Sequence, residues 1–310
     1  MQQITDTVIM VRPVAFRMNE QTAVNNYFQE DIDLKNAEIN KKAQYEFDSF
    51  VAKLRGIGIN VLVIEDDKQM DTPDSIFPNN WISTHENGNI AIYPMYAENR
   101  RKERREEFFT KMETAGFAIN SVVDYTAAEE EDIFLEGTGS IVLDRVNEKA
   151  YCALSPRADE ELFIEFCEDF GYFPVVFTAF QTVSGERLPI YHTNVMMCLA
   201  EKFCVICLSS IDDKKERSVV IDHLRDSGKE IIAITEKQVA QFAGNMLQVR
   251  SKSGEKFLIM SNSAYKSLDQ NQIEAIEKYC EIVSSNIETI ETCGGGSARC
   301  MMAEVFLPKK

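Results

Sequence analysis

The chain has 310 residues, of which 45% are hydrophobic and 27% charged, an ordinary balance for a globular protein. Its formal net charge of −17 at pH 7 argues against nucleic acid or an anionic membrane as a partner, because both would repel it. No apolar run reaches the roughly 18 residues of a membrane span, and the N-terminus lacks the basic and apolar regions of a signal peptide, so we expect a cytoplasmic protein.

Strand-like and helical segments alternate along the whole chain. We predict strands at 7–12, 60–65, from 79, 90–94, 117–123, from 136, 173–177, from 192, 203–208, 230–235, from 245, 256–260, 281–285 and from 300. We predict helices from about 19 and at 99–115, 159–170, 213–226 and 271–280. No low-complexity segment or linker interrupts this alternation, which predicts a single domain spanning residues 1–310.

Five of the predicted strands begin with a polar or nucleophilic residue, and these residues recur at intervals of 53 to 56. They are Asn80, Glu136, His192, Asn245 and Cys300. A fixed period predicts a repeat architecture, and five units closing around an axis would bring these five positions to one centre. The alternative is coincidence among the many polar positions of the chain.

Cys300 follows three consecutive glycines at 294–296. A turn without side chains can bend sharply and leaves a thiol open to a small electrophile. The alternative is a buried and inert thiol, the usual state of a free cysteine.

The other cysteines and the histidines give no sign of a metal or a cofactor. Cys204 and Cys207 have the spacing of a metal or redox pair, but they lie in an apolar run typical of a buried strand, where residues three apart point to opposite faces. The chain has eight cysteines, which we expect to be reduced, and only three histidines. We therefore predict no metal and no cofactor.

Four short segments resemble motifs of the guanidine-modifying superfamily, whose fold is called the pentein fold. Gly-Gly-Gly-Ser-Ala-Arg-Cys-Met at 294–301 is similar to the deiminase Gly-Gly-x-Arg-Cys-Met, and Leu-Glu-Gly-Thr-Gly-Ser at 135–140 is similar to Glu-Gly-Gly-Asp. Tyr-His-Thr-Asn at 191–194 is similar to His-x-Asp, and Ala-Leu-Ser-Pro-Arg-Ala at 153–158 is similar to Gly-x-Ser-x-Arg-Thr. Their order and spacing extend the resemblance over essentially the whole chain, with the citrulline utilisation hydrolases as the most similar branch.

The resemblance implies an α/β fold, a five-bladed propeller built from pseudo-fivefold ββαβ-type repeats. It also implies a catalytic set in which the Cys300 thiolate attacks the planar carbon of a guanidino or ureido group and forms a covalent intermediate. His192 would be the general acid and then the general base. Glu136 would hold and polarise the nitrogens of the substrate and keep His192 protonated while this is needed.

The chain departs from the deiminase motifs at two positions. It carries Asn79 and Asn80 where deiminases have an aspartate in the first repeat, and Asn194 where they have the aspartate two residues after the histidine. Carboxylates suit a cationic guanidinium, whereas an amide can also donate to the oxygen of a neutral ureido group. We therefore expect hydrolysis of citrulline to ornithine, ammonia and carbon dioxide. The alternative for these three residues is that they form turns at strand ends.

The resemblance also suggests Arg100 and Arg157 as contacts for the carboxylate of an amino-acid substrate. Arg100 could instead be one more surface charge on its helix, and Asn245 has no assigned chemistry. The other activities compatible with the sequence are those of arginine deiminase, dimethylarginine dimethylaminohydrolase or an amidinotransferase. A non-catalytic binding protein of the same fold is the alternative from another class. The oligomeric state stays open, with a homodimer as one alternative.

Overall fold

The computed structural model describes all 310 residues, as a mixed α/β fold. The strands are β1 (Thr7–Arg12), β2 (Asn60–Glu65), β3 (Ile82–Thr84), β4 (Asn89–Ile92), β5 (Ser121–Asp124), β6 (Ile141–Asp144), β7 (Lys149–Leu154), β8 (Phe173–Thr178), β9 (Phe180–Val183), β10 (Glu186–Pro189), β11 (Met197–Leu199), β12 (Phe203–Ile206), β13 (Glu230–Ala233), β14 (Leu247–Arg250), β15 (Lys256–Ser261), β16 (Glu281–Ser285) and β17 (Ala303–Glu304). The helices are α1 (Asn36–Gly56), α2 (Glu98–Arg101), α3 (Glu107–Thr114), α4 (Gly137–Ser140), α5 (Glu160–Phe170), α6 (Thr193–Met196), α7 (Lys214–Asp226), α8 (Glu236–Val239), α9 (Asn262–Ser267), α10 (Gln270–Glu277) and α11 (Glu288–Gly294). None of these helices is long and apolar enough to cross a membrane.

Fifteen of the strands form five three-stranded sheets of the same design. Their strand orders are β17-β1-β2, β3-β4-β5, β6-β7-β8, β11-β12-β13 and β14-β15-β16. In each sheet the central strand pairs antiparallel with the first strand and parallel with the third. The remaining pair, β9 and β10, is a separate hairpin. The structure therefore contains five equivalent units, while their closure into a propeller stays a prediction.

A helical crossover joins the two parallel strands in every sheet, as parallel pairing requires. The crossovers contain α1, then α2 and α3, then α5, then α7, then α9 and α10. The first of them shows why the sequence folds in this way. Helix α1 places Ile39, Phe47 and Phe50 on one buried face, where they pack with Val8 and Met10 of β1.

The helix predicted from about Asn19 is wrong. Residues 20–25 form turns, and the first helix starts at Asn36. The Asn19 side chain accepts a hydrogen bond from the backbone N–H of Gln21 at 3.1 Å, which closes a local turn instead of starting a helix. The segment 13–35 instead lies across other parts of the chain, including Arg157 and the glycines at 294–295.

Further expectations also differ from the structure. The strands predicted from 79, 136 and 192 begin at Ile82, Ile141 and Met197, because a short helical turn precedes each of them. The predicted helix 99–115 is divided into α2 and α3, and between them Glu103 turns inward to bind the buried Arg100 at 2.9 Å. The strand predicted from Cys300 is limited to the two residues of β17, because residues 297–301 form a turn. That turn and the pairing of β17 with β1 place Cys300 next to the first sheet.

Candidate active site

The five periodic residues occupy equivalent places in the five sheets. Asn80 ends the 3-10 turn before β3, and Glu136 and His192 are the N-cap residues of α4 and α6, which precede β6 and β11. Asn245 and Cys300 lie shortly before β14 and β17. Each residue therefore precedes the antiparallel outer strand of its sheet, which explains the regular spacing in the sequence.

A narrow cavity of about 10 Å³ brings most of the predicted site residues together. Its walls are formed by Asn26, Asp74, Phe77, Asn80, Arg100, Arg157, Tyr191, His192, the glycines 294–296 and Cys300. Glu136, Asn194 and Asn245 are not part of these walls, but each contacts a residue that is. Asn79 lies further back, where its Nδ2 donates to Thr138 Oγ1 at 3.3 Å.

His192 and Glu136 form a buried pair. The imidazole Nε2 lies 2.7 Å from Glu136 Oε2, and the exposed fractions of the two side chains are 2% and 0%. The other carboxylate oxygen, Oε1, accepts the backbone N–H of Tyr96 at 3.0 Å. Arg157 Nη1 lies 3.5 Å from Oε2, so the carboxylate has a cation on its other side.

Burial and neighbouring charges set the protonation of this pair. Burial alone would raise the pKa of Glu136, but Arg157, His192 and Arg100 together lower it to about 2. Burial lowers the pKa of His192 to about 4, although Glu136 acts to raise it. These shifts favour an ionised Glu136 and a neutral His192 in the free protein at neutral pH. That Glu136 keeps His192 protonated while this is needed during the reaction stays a prediction.

The tautomer of His192 follows from its partner. An ionised carboxylate only accepts hydrogen bonds, so Nε2 carries the proton and donates it to Glu136. Nδ1 of the neutral ring is then an unprotonated base. It lies beside Gly139, next to the amide of Asn80.

Cys300 is 3% exposed, and its sulfur contacts two asparagine amides. Asn245 Nδ2 donates to Sγ at 3.2 Å, and Asn194 Nδ2 donates at 3.6 Å. The sequence predicted Asn194 for this region and assigned no chemistry to Asn245. The sulfur of Cys300 therefore faces two side-chain hydrogen-bond donors.

The three glycines before Cys300 do not form an open turn. Gly294 ends α11, and Gly295 has a left-handed φ of 61°, a conformation that favours glycine. A Cβ at Gly294 or Gly296 would lie within 2.9 Å of the Phe77 ring. Tyr191 Oη also donates to Gly295 O at 2.6 Å. The glycines thus permit close packing of the cavity wall.

Both predicted arginines are buried against protein acceptors. Arg100 forms an ion pair with Glu103 at 2.9 Å, and its Nη1 donates to Asn80 Oδ1 at 2.8 Å. Arg100 is therefore not a surface charge. Arg157 donates through Nε to Asn25 Oδ1 at 2.9 Å and through Nη2 to Thr22 O at 2.9 Å.

Two unpaired polar atoms belong to the cavity walls. Asn80 Nδ2 is buried and has no hydrogen-bond partner. Its orientation is fixed, because the guanidinium of Arg100 only donates and must face the amide oxygen. Asp74 Oδ1 is likewise buried without a partner, whereas Oδ2 accepts from Asn19 Nδ2 at 2.7 Å. Both atoms are therefore available to pair with a ligand in the cavity.

Sequence reasoning missed Asp74. It lies six residues before Asn80 and so outside the period of the other positions. Burial raises its pKa, while Arg100 and Asn19 act against this shift. The only signal in the sequence was an acidic residue two positions before the apolar run 76–78 that leads to Asn79 and Asn80.

The family model described as N,N dimethylarginine dimethylhydrolase, eukaryotic, matches residues 12–307 of the chain. The chain belongs to this family. The family is part of the pentein superfamily of guanidine-modifying enzymes, so the resemblance seen in the sequence is confirmed. No curated protein sequence matches the chain.

Solved structures show the fold of this dimethylarginine dimethylhydrolase family member. ArgZ, an arginine dihydrolase from the ornithine-ammonia cycle in cyanobacteria, matches with a TM-score of 0.72 at 15% identity, over 98% of this chain and 41% of ArgZ. The N-terminal domain of ArgZ with bound substrate matches with a TM-score of 0.68 at 15% identity, over 97% of this chain and 99% of that domain. A dimethylarginine dimethylaminohydrolase adduct with S-methyl-L-thiocitrulline matches with a TM-score of 0.64 at 13% identity, over 97% of this chain and 99% of that protein. The chain thus spans less than half of full-length ArgZ and all but 1% of its N-terminal domain.

Proposed function

We propose that the protein hydrolyses the ureido group of citrulline, giving ornithine, ammonia and carbon dioxide. The observation that carries this proposal is the unpaired Nδ2 of Asn80, a donor fixed in the cavity wall by Arg100. A ureido group offers an oxygen that accepts this hydrogen bond. A guanidinium offers only donors, so it would leave Asn80 Nδ2 unpaired at a cost of about 1–3 kcal/mol.

The first half of the reaction uses Cys300 and His192. The thiol proton passes to the unprotonated Nδ1 of His192, and the sulfur forms a bond to the ureido carbon. The carbon–nitrogen bond to the ornithine side chain then breaks, and the departing nitrogen takes the proton from the imidazolium. Glu136, ionised and bonded to Nε2, stabilises that imidazolium while it exists.

The second half hydrolyses the thiocarbamate left on the sulfur. His192 takes a proton from water, whose oxygen bonds to the carbon, and the carbon–sulfur bond breaks. The sulfur keeps the electron pair as a thiolate, and the carbamate that is released decomposes to ammonia and carbon dioxide. Asn80 donates to the substrate oxygen throughout, where negative charge develops in both steps.

The amino-acid end of the substrate has two candidate contacts. Asp74 Oδ1, buried and unpaired, suits the α-ammonium group. Arg157 Nη1, which within the protein forms only the 3.5 Å ion pair with Glu136, suits the α-carboxylate, while the rest of that guanidinium is held by Thr22 and Asn25. We assign Arg100 to the orientation of Asn80 instead.

We also propose that the five sheets close into a five-bladed propeller within one domain of residues 1–310. Contacts between sheets support this arrangement. Strand β11 contacts β6 and β14, and β17 contacts β3. In such a ring the equivalent strand starts meet at the centre, which agrees with the shared cavity.

A second candidate function is hydrolysis of arginine or a methylated arginine. Asp74 favours it, because a buried carboxylate with an unpaired oxygen also suits a cationic guanidinium. The matching family model and the ArgZ structures agree with this alternative. The two candidate substrates differ in the group that faces Asn80 Nδ2: citrulline offers it a ureido oxygen, which accepts a hydrogen bond, whereas arginine offers it only N–H donors.

The test is a product assay with citrulline, arginine and dimethylarginine, combined with the substitution Asn80→Asp. We expect the unmodified protein to release ornithine and ammonia from citrulline. Asn80→Asp replaces the donor by an acceptor but keeps an oxygen for Arg100, so kcat/KM for citrulline should fall about tenfold or more while that for arginine rises.

The matched control is Asn286→Asp, which adds the same charge at an exposed position. It should leave both activities unchanged. Turnover of arginine to citrulline with citrulline itself inert would contradict the proposal and favour the second candidate.

A further inference from the structure

Asn245 touches the sulfur of Cys300, although the reaction above gives it no role. Its Nδ2 lies 3.2 Å from Sγ, closer than any other side-chain donor. The residue is 1% exposed and precedes β14, a different sheet from that of Cys300. The contact therefore depends on the tertiary fold and not on neighbours in the sequence.

The amide of Asn245 is held in a single orientation. Its Oδ1 accepts the backbone N–H of Arg299, the residue before Cys300, at 3.0 Å. Its Nδ2 also donates to the backbone carbonyl of Asn194 at 3.1 Å. Because one N–H is used by that carbonyl, the second is directed at the sulfur.

Asn194 supplies longer contacts to the same atom, with Nδ2 at 3.6 Å from Sγ as a donor and Oδ1 at 3.9 Å as an acceptor for the thiol proton, so Asn245 is the amide that only donates to the sulfur. No lysine or arginine donates a hydrogen bond to the sulfur, so these amides are its polar partners. A thiol is a weak acceptor, whereas a thiolate accepts charge-assisted hydrogen bonds that are roughly twice as strong as neutral ones. The arrangement thus stabilises the ionised sulfur more than the neutral one.

We infer that Asn245 is a catalytic residue that stabilises the Cys300 thiolate, an inference that rests on the proposed role of Cys300 as the nucleophile. Its amide acts twice. It donates a hydrogen bond to the thiolate that forms when the thiol proton moves to His192. It donates again to the thiolate that forms when the carbon–sulfur bond breaks and the electron pair returns to sulfur. The transition states of both steps are stabilised, because the same donor faces the negatively charged sulfur in each.

The test measures how the alkylation rate of Cys300 by iodoacetamide depends on pH, with modification of Cys300 identified by peptide mass spectrometry. Asn245→Leu removes the donor at nearly constant volume. The pH midpoint of alkylation should rise by about one unit or more, as expected for the loss of a hydrogen bond to a charged group. The midpoint does not depend on how easily the reagent enters, because entry changes the limiting rate.

Gln248→Leu is the matched control. This equally buried amide lies three residues further along, accepts the backbone N–H of Glu201, and does not contact Cys300. It should leave the midpoint where it is. Asn245→Asp is the second variant, because it keeps the oxygen that accepts from Arg299 and places a negative charge at the sulfur, which should raise the midpoint further.

An unchanged midpoint in the Asn245 variants, or an equal shift in Gln248→Leu, would overturn the inference. Alkylation needs no substrate, so this outcome is independent of whether citrulline is turned over. If citrulline is inert but the midpoint rises, the role of Asn245 stands and the proposed substrate fails. If citrulline is hydrolysed and the midpoint does not move, the proposed substrate stands and the role of Asn245 fails.

Discussion

Gly139 lies where two side chains of the cavity approach each other. A Cβ at this position would be 2.3 Å from Asn80 Nδ2 and 2.8 Å from His192 Nδ1, distances that real Cβ atoms do not tolerate. The two groups that the proposed reaction uses to bind the substrate oxygen and to move protons therefore depend on the absence of one methyl group.

We predict that Gly139→Ala lowers kcat/KM at least tenfold, because Asn80 and His192 must both shift to admit the methyl group. Overpacking of this kind costs about 1–3 kcal/mol, so the variant should still fold. Steady-state kinetics together with thermal unfolding separate the two effects. Gly56→Ala is the control, since a Cβ there meets no atom within 4 Å. Unaltered kinetics in Gly139→Ala would show that neither group needs its present position.

At the scale of single residues, the sequence revealed those positions that obey the repeat. Glu136, His192 and Cys300 were predicted from period and motif, and they lie together. Asp74 and the contacts of Arg157 with Thr22 could not be predicted, because they come from segments outside the period that meet only in three dimensions. The lowered pKa of His192 could not be predicted from the sequence either, because it depends on burial.

Helix α1 shows how one element is stabilised. Phe50 is fully buried against the first sheet, whereas Tyr45 on the same helix is 75% exposed. The hydrophobic face of the helix, and not its polar face, thus connects it to the protein.

We predict that Phe50→Ala lowers the free energy of unfolding by about 3–5 kcal/mol, the usual cost of removing a buried phenylalanine side chain. Tyr45→Ala should change it by no more than about 0.5 kcal/mol, because an exposed side chain loses little on truncation. Chemical denaturation of both variants measures the difference. Equal effects would mean that α1 does not pack as described.

Helix ends were predictable where a side chain caps them. The predicted helices at 159–170 and 213–226 agree with α5 and α7, whose N-cap residues Asp159 and Asp213 accept backbone N–H groups of the first turn. Helix α1 starts after Lys35, which makes no side-chain cap, so its start left no signal in the sequence. Asn19 carried such a signal but closes an isolated turn.

The stability of the whole molecule should depend on the buried His192. Its pKa is lowered from 6.5 to about 4 by burial, so between these values the unfolded chain binds a proton that the folded protein does not. The free energy of unfolding therefore falls as the pH drops from 6.5 toward 4. Above pH 6.5 this contribution is constant.

We predict that His192→Gln removes this part of the pH dependence while its amide still donates to Glu136. The stability of the unmodified protein should fall relative to the variant by on the order of 3 kcal/mol between pH 6.5 and 4. Urea denaturation at several pH values measures how the free energy of unfolding depends on pH in the unmodified protein and in the variant. Parallel slopes would mean that His192 is not neutral in the folded protein.

For the whole molecule, the spacing of five residues was enough to predict five units, and the structure contains five sheets of one design. The spacing could not show which strands pair. The first sheet is the clearest case, because β1 pairs with β17 from the opposite end of the chain as well as with β2.

This pairing has a consequence for biosynthesis. Thr5 Oγ1 donates to Val305 O across 300 residues, so the first sheet stays incomplete until these 300 residues have been translated. At about 5–20 residues per second this interval is roughly 15–60 s. Throughout it, β1 has one unpaired edge, and Cys300 is synthesised only five residues before Val305. On the proposed mechanism, a nascent chain is therefore inert toward its substrate until Cys300 and the strand that completes the first sheet have both been made.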